Sequence, residues 1–274
     1  MDDVRRNGVF SAMENWSPVS SVPVAGGEVG VEITKGIATI RFSHPKGNSL
    51  PGALLRHLAD TIGKVGRHPD TRVIVLRSDG AGPFCAGASF DELVNISTPD
   101  EGELFFSGFS QVILAMIRSP QFVIVRVQGR TAGGGIGIAA AGDYTFAVRS
   151  ASVKLSELAV GIGPFVVGPV IARRVGIGPF MAMSVDADWR DAAWCESHGL
   201  FARVLDDSAA MDLAIDTLAA TLAASNPEAM RLMKSVAWHD TENWDALLAE
   251  RARMSGTLVL SDFTRQAIAK FKAK

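Results

Sequence analysis

With 274 residues, 47% of them hydrophobic and 20% charged, the chain has a globular composition and enough length to bury a substantial core. A formal net charge of −2, with no Lys/Arg run longer than two residues, excludes a field suited to nucleic acid or an anionic membrane surface. Two cysteines exclude a disulfide framework and no apolar stretch reaches the ~18 residues of a membrane span; with MDDVRRNGVFSAMENW lacking the apolar block of a secretory signal, a cytoplasmic protein is expected.

Residues 1–27 mix polar residues, prolines and Gly26-Gly27 without periodicity and read as a mobile lead-in, with the fold beginning near Glu28. VGVEIT and IATIRF then alternate around Lys35-Gly36, which predicts a β-hairpin, and residues 48–66 read as a helix. TRVIVLR (71–77) and FVIVRV (122–127) are short, β-branched and apolar, as strands buried on both faces should be. A glycine-rich loop over 79–88 and a helical region reaching about Arg118 lie between them. Strand, helix, strand in this order predicts crossover connections and an α/β layered core.

From about Pro164 helical pattern dominates. Residues 192–199 end with a glycine after a histidine, a helix stop. Asn226-Pro227 opens another helix, with Met230, Met233 and Trp238 at helical spacing, and residues 247–274 supply further helix and a basic tail.

The organising stretch is 123–157, VIVRVQGRTAGGGIGIAAAGDYTFAVRSASVKLSE. Gly133, Gly134 and Gly135 put bare backbone at a helix start, where N–H groups lack intrahelical acceptors and the dipole favours negative charge. Gly135, Gly137 and Ala140 also satisfy a dinucleotide-binding pattern, with Glu157 twenty residues after Gly137. In a dinucleotide fold the turn follows its strand directly and the acidic residue closes the next strand; here QGRTAG intervenes and Glu157 lies past DYTFAV. A second glycine loop, GAGPFCAGASFDEL, precedes a different helix. Two such segments in one core can aim two N–H groups at one oxygen and stabilise an enolate or tetrahedral oxyanion.

In HPKGNSL, the F-C-A-G-A loop, A-G-G-G and L-S-E-L-A-V-G, in that order and spacing, the chain resembles the crotonase, or enoyl-CoA hydratase/isomerase, superfamily over about residues 28–274. The resemblance implies an α/β fold made of a spiral of ββα turns: an acyl-CoA-binding core over 28–205, then a C-terminal helical trimerisation region over 206–274 that gives a homotrimer or hexamer. It implies an acyl-CoA thioester substrate, with coenzyme A part of that substrate and no separate cofactor; the metal-ligand count and charge balance add the expectation of no metal and of no nucleic-acid or membrane partner. It places the thioester oxygen on the amides of Ala88 and Gly134, and substrate contacts at Ala86, Ser89 and Phe165, with Lys46 meeting the CoA phosphates.

Hydratases of the superfamily carry one glutamate in a G-G-G-x-E pattern and a second in a P-E or S-E dipeptide. Here the first position is Gly137 and the second is Glu157, and Ser89 departs from the frequent G-A-D sequence. Adding water is easiest with two carboxylates dividing base and acid duties, whereas moving a double bond needs one. The resemblance therefore implies a Δ3,Δ2-enoyl-CoA isomerase with Glu157 as the catalytic base. GIGPFVVGP is similar to the Pro-Phe turn of the mitochondrial type of that enzyme, and burial of Glu157 among Leu155, Leu158, Val160 and Phe165 should lift its pKa. The alternatives are a hydratase working with one glutamate, a decarboxylase or thioesterase of the same fold, and a non-catalytic subunit.

The remaining candidates have plainer readings. Cys85 reads as core, Cys195 and His198 share a helix face without further metal ligands, and Trp189, Trp194, Trp238 and Trp244 read as core or subunit contacts.

Overall fold

The computed structural model describes residues 19–272; residues 1–18 of the expected lead-in and the end of the basic tail lie outside them. Order begins before Glu28. Val19–Val24 forms β1, antiparallel to β2 (Gly27–Thr34), with Val19 opposite Glu32 and Val24 opposite Gly27. Ala25 and Gly26, both at positive φ, make the two-residue turn. Pro23 obscured this strand in the sequence, and it is accepted because β1 lies at the sheet edge.

β2 and β3 (Ile37–Ser43) form the expected hairpin around Lys35 and Gly36. α1 (Gly52–Arg67) begins four residues later than the sequence reading, because Asn48 (φ +56°) is used elsewhere. Its Nδ2 donates to the carbonyls of Asp79 (3.0 Å) and Pro83 (2.9 Å), and its Oδ1 accepts from the His44 amide. Asn48 thereby pins the 79–88 loop to the end of β3 before any helix can start.

β4 (Val73–Ser78) follows, then α2 (Phe90–Leu93), α3 (Pro99–Arg118) and β5 (Phe122–Val127). α3 opens on a capping box, with Thr98 accepting from the Glu101 amide and Glu101 reaching back. Beyond β5 come β6 (Thr131–Ala132), α4 (Gly134–Ala141), β7 (Tyr144–Val148) and β8 (Ser152–Lys154). α5 (Gly168–Val175), α6 (Ile177–Asp186), β9 (Arg190–Asp191), α7 (Ala192–Ser197) and β10 (Arg203–Leu205) lead to α8 (Ser208–Ala223), α9 (Pro227–Ala237), α10 (Trp244–Leu258) and α11 (Asp262–Lys272).

The main sheet has seven strands in the order β1-β2-β3-β4-β5-β7-β10, parallel from β3 onward, so the predicted α/β layering is present. A small sheet, β6-β8-β9, stands apart and shapes the site described below. α8 packs across β3, β4, β5, β7 and β10, and its Asp212 pairs with Arg126 of β5, which is buried in the sheet. α1 packs against α3, and α10 lies along α3 with backbones in contact: a Cβ on Gly102 would sit 2.6 Å from the Gly256 Cα. In α9 the Asn226 side chain caps the first turn as expected; Met230 and Trp238 are buried, while Met233 faces outward. No helix among the described residues is long and apolar enough to cross a membrane.

Asp143, in the turn between α4 and β7, ties three layers together. Its carboxylate accepts from the Val123 amide (2.8 Å) and from Trp238 Nε1 (3.1 Å), and it pairs with Lys234 Nζ at 2.7 Å. Lys234 is 2% exposed and also donates to the carbonyls of Met116 and Gln121. Replacing Asp143 with Ala would leave that ammonium buried without its counter-charge, and denaturant unfolding is expected to show a loss of about 3–5 kcal/mol. A loss below about 1 kcal/mol would mean that Lys234 is hydrated.

Candidate active site

The small sheet brings the two glycine segments and Glu157 to one place. β6 pairs with β8 in parallel, Thr131 beside Val153 and Ala132 beside Lys154, and the Gly133 amide donates to the Lys154 carbonyl at 3.0 Å. The same segment is bridged to the first glycine loop at Cys85 and Thr131, with the Ala132 amide on the Cys85 carbonyl at 2.9 Å. Gly133 (φ +51°) and Gly87 (φ +87°) occupy backbone regions that side-chain-bearing residues rarely adopt. A Cβ on Gly87 would lie 3.0 Å from the Ala132 carbonyl oxygen and 3.7 Å from the Gly134 nitrogen, so the loops touch backbone to backbone.

Two amides are left over at this contact. Leu50 takes the Gly87 carbonyl and the Ser89 amide, and Gly87 N–H points at Cys85 Sγ, leaving the Ala88 N–H without an acceptor among the described residues. Gly134 is the first residue of α4, and its amide likewise has none. Both residues line an inner cavity of about 70 Å³, walled by apolar side chains that include Phe90, Leu93, Phe106, Phe109, Val166 and Val167.

Glu157 sits in the same cavity, at the start of the short 3-10 turn Leu158–Val160. Its Oε1 lies 3.2 Å from where a Gly133 Cβ would be, so the carboxyl rests over the glycine backbone. Although the residue as a whole is only half-buried, the carboxyl is enclosed: Oε2 has no accessible surface and no hydrogen-bond partner. Burial pushes this carboxyl up to about 7, against the smaller downward pull of the Glu157 and Ser156 backbone amides. Of the four neighbours expected to bury it, Leu155 and Val160 are buried and Phe165 is half-buried. Leu158 is 52% exposed and contributes nothing, because the tight turn carries it outward.

Gly137, one turn into α4, has no room for any side chain. A Cβ there would meet Val167 Cγ1 at 2.5 Å and Ile113 Cδ1 at 3.3 Å. The space that a second carboxylate would need is filled with hydrocarbon.

The outer mouth is a groove of about 570 Å³ that shares Ala86, Ala88, Phe90, Ser156 and Val160 with the inner cavity. Ala86 therefore stands at the junction, as does Ala88. Ser89, buried, and Lys46, exposed and ion-paired with Asp91, line the groove but not the inner cavity; Phe165 lines the inner cavity but not the groove. Sequence reading missed Arg130 and Lys154, both in the groove, with Arg130 stacked over Trp189 at 5.3 Å. Their position beside the glycine stretch was the available signal. It also missed Ser255 in the inner cavity, which comes from α10 and has no local signature.

Cys85 is fully buried and its thiol is pushed up to about 12, so it is no thiolate nucleophile. Trp238 and Trp244 pack edge to face, and Trp194 stacks on His198.

The raised carboxyl couples site to stability. A folded-state pKa of about 7 against an ordinary 4.5 means that the folded protein holds the proton more tightly. The penalty for ionising Glu157 is absent below about pH 4.5, grows as pH rises and is complete above about pH 7. Glu157→Gln is therefore expected to gain up to roughly 3 kcal/mol on the wild type between these limits. Urea unfolding of both proteins at pH 5 and pH 8 checks this, and parallel pH dependence would show a solvated carboxyl.

A family model described as enoyl-CoA hydratase/isomerase matches residues 32–274. The mitochondrial methylglutaconyl-CoA hydratase of Homo sapiens is 30% identical over 209 residues, 74% of this chain; the chain spans 61% of that relative's length. The 1,2-epoxyphenylacetyl-CoA isomerase of Escherichia coli (strain K12) is 27% identical over 188 residues, 66% of this chain and 71% of that protein. The crystal structure of an enoyl-CoA hydratase from Bacillus halodurans superposes with a TM-score of 0.83 over 88% of this chain and 99% of that one, at 16% identity, and so speaks for the fold. The chain belongs to the enoyl-CoA hydratase/isomerase family of the crotonase superfamily.

Proposed function

We propose that the protein is an acyl-CoA isomerase that moves a double bond from C3–C4 to C2–C3 of an enoyl thioester. The observation that carries this reading is one enclosed, unpaired carboxyl in the same cavity as two unused amides, with the neighbouring position at Gly137 closed by Val167 and Ile113. Glu157, ionised, removes a proton from C2. The electron pair moves onto the thioester oxygen, where the Ala88 and Gly134 N–H groups hold the dienolate. The protonated Glu157 then delivers the same proton to C4 as the double bond re-forms between C2 and C3.

A base with a pKa near 7 suits this shuttle, since it must both take and return a proton at neutral pH. The apolar wall, with 106, 109 and 165 all phenylalanine, offers a water few hydrogen-bond partners, which disfavours hydration. In the outer groove, Lys46, Arg130 and Lys154 supply cations for the CoA phosphates, and Trp189 a flat apolar surface. The apolar residues exposed on α6, α8 and α9, among them Val185, Leu213 and Val236, support a homotrimer or hexamer as the assembly.

Incubation with 2-enoyl-CoA and 3-enoyl-CoA esters in deuterated water separates the chemistries by product mass. Isomerisation keeps the heavy-atom formula, hydration adds water and decarboxylation loses carbon dioxide. Glu157→Gln is expected to lower turnover of a 3-enoyl-CoA at least about a thousandfold while CoA-ester binding persists. Wild-type kcat/KM should rise with pH and level off above about pH 7, as the free carboxyl ionises. Full activity in Glu157→Gln, or water addition as the main reaction, overturns the proposal.

A further inference from the structure

Beyond the inner cavity lies a second apolar pocket of about 320 Å³, lined among others by Pro164, Phe165, Phe180, Met181 and Arg251. It shares Pro164 and Phe165 with the inner cavity. Phe165 borders both spaces, its ring folded back so closely on Gly163 that a Cβ there would lie 2.4 Å from its Cζ. α10 spans both spaces, giving Ser255 to the inner cavity and Arg251, one turn earlier on the same face, to the second pocket.

Arg251 is unmatched. Its Nε has no accessible surface and no hydrogen-bond partner, and its NH1 reaches only the Met254 sulfur at 3.9 Å. No carboxylate pairs with it among the described residues; Glu103 is taken by Arg253, and Asp245 by Arg118. An enclosed guanidinium N–H without an acceptor is unfavourable, and a ligand anion would relieve it.

We infer that the pocket beyond Phe165 receives the far end of the acyl chain and that Arg251 binds a carboxylate carried there, so that the preferred substrates are ω-carboxyacyl thioesters. This rests on the acyl-CoA reading above. Rotation of the half-buried Phe165 ring off Gly163 joins the two spaces, and the planar fork of Arg251 suits a carboxylate.

Titration calorimetry with saturated, unreactive esters tests this without requiring turnover, pairing glutaryl- to suberyl-CoA with pentanoyl- to octanoyl-CoA of equal length. In at least one pair the wild type should bind the ω-carboxy ester about 10- to 100-fold more tightly. Arg251→Met should abolish that preference and leave affinity for the neutral ester unchanged. Equal wild-type affinities in every pair, or a preference that survives in Arg251→Met, overturns the inference. If Arg251→Met also weakens the neutral ester, Arg251→Lys decides: preference retained with normal neutral binding supports the inference, and any other result overturns it. Selective binding without turnover of any 3-enoyl-CoA would keep the carboxylate site and overturn the isomerase. Turnover without selectivity would do the reverse, and no binding of any CoA ester would overturn both.

Discussion

The start of α4 can carry no side chains, and the rest of the site depends on that. A Cβ on Gly134 would sit 2.1 Å from the Phe109 ring, and one on Gly135 would sit 2.7 Å from Cys85 Cβ. Helix, glycine loop and the apolar face of α3 therefore meet at backbone distance, a spacing that interiors reach only where side chains are absent. From that contact follow the pairing of the glycine loop with β6, the two amides left without acceptors, and the seat of the Glu157 carboxyl on the Gly133 backbone. Each is a by-product of backbone packing.

The electrostatics follow from the same economy of side chains. With hydrocarbon on nearly every wall, no charged side chain in the inner cavity offsets Glu157, and the lone carboxyl there retains its proton to near neutrality. Lys46, Arg130 and Lys154 stand in the outer groove, clear of the inner cavity. Apolar inner chamber and charged mouth meet at Ala86 and Ala88, residues too small to close the passage between them. Stability is sacrificed at Glu157, whereas the buried Asp143–Lys234 pair, remote from the cavity, has each charge matched by the other.

What could be read from the sequence was what local chemistry dictates. β5 was legible residue for residue because a parallel strand buried on both faces is nearly all apolar, here broken by Arg126, and the β2–β3 turn because Lys35-Gly36 has one economical conformation. The α9 start was legible because Asn-Pro encodes a cap. The α/β layering, the glycine segments and Glu157 were likewise visible, since order and spacing carried them. β1 was hidden because an edge strand tolerates Pro23. The facing of Leu158 was hidden because a 3-10 turn follows neither strand nor helix periodicity, and Ser255 and Arg251 because α10 reaches the site only through its packing on α3. The narrow fit of Gly137 against Val167 is a tertiary fact with no local signature.

That fit also limits how the protein can change over generations. Any side chain at 137 collides with Val167 and Ile113 before it reaches the cavity, while a smaller residue at 167 alone opens a void in a packed wall. Either substitution by itself is a loss, so a second carboxylate can be acquired only by a paired replacement that crosses a less stable intermediate. Drift one residue at a time therefore tends to preserve a single carboxyl here, even where it freely alters the surface.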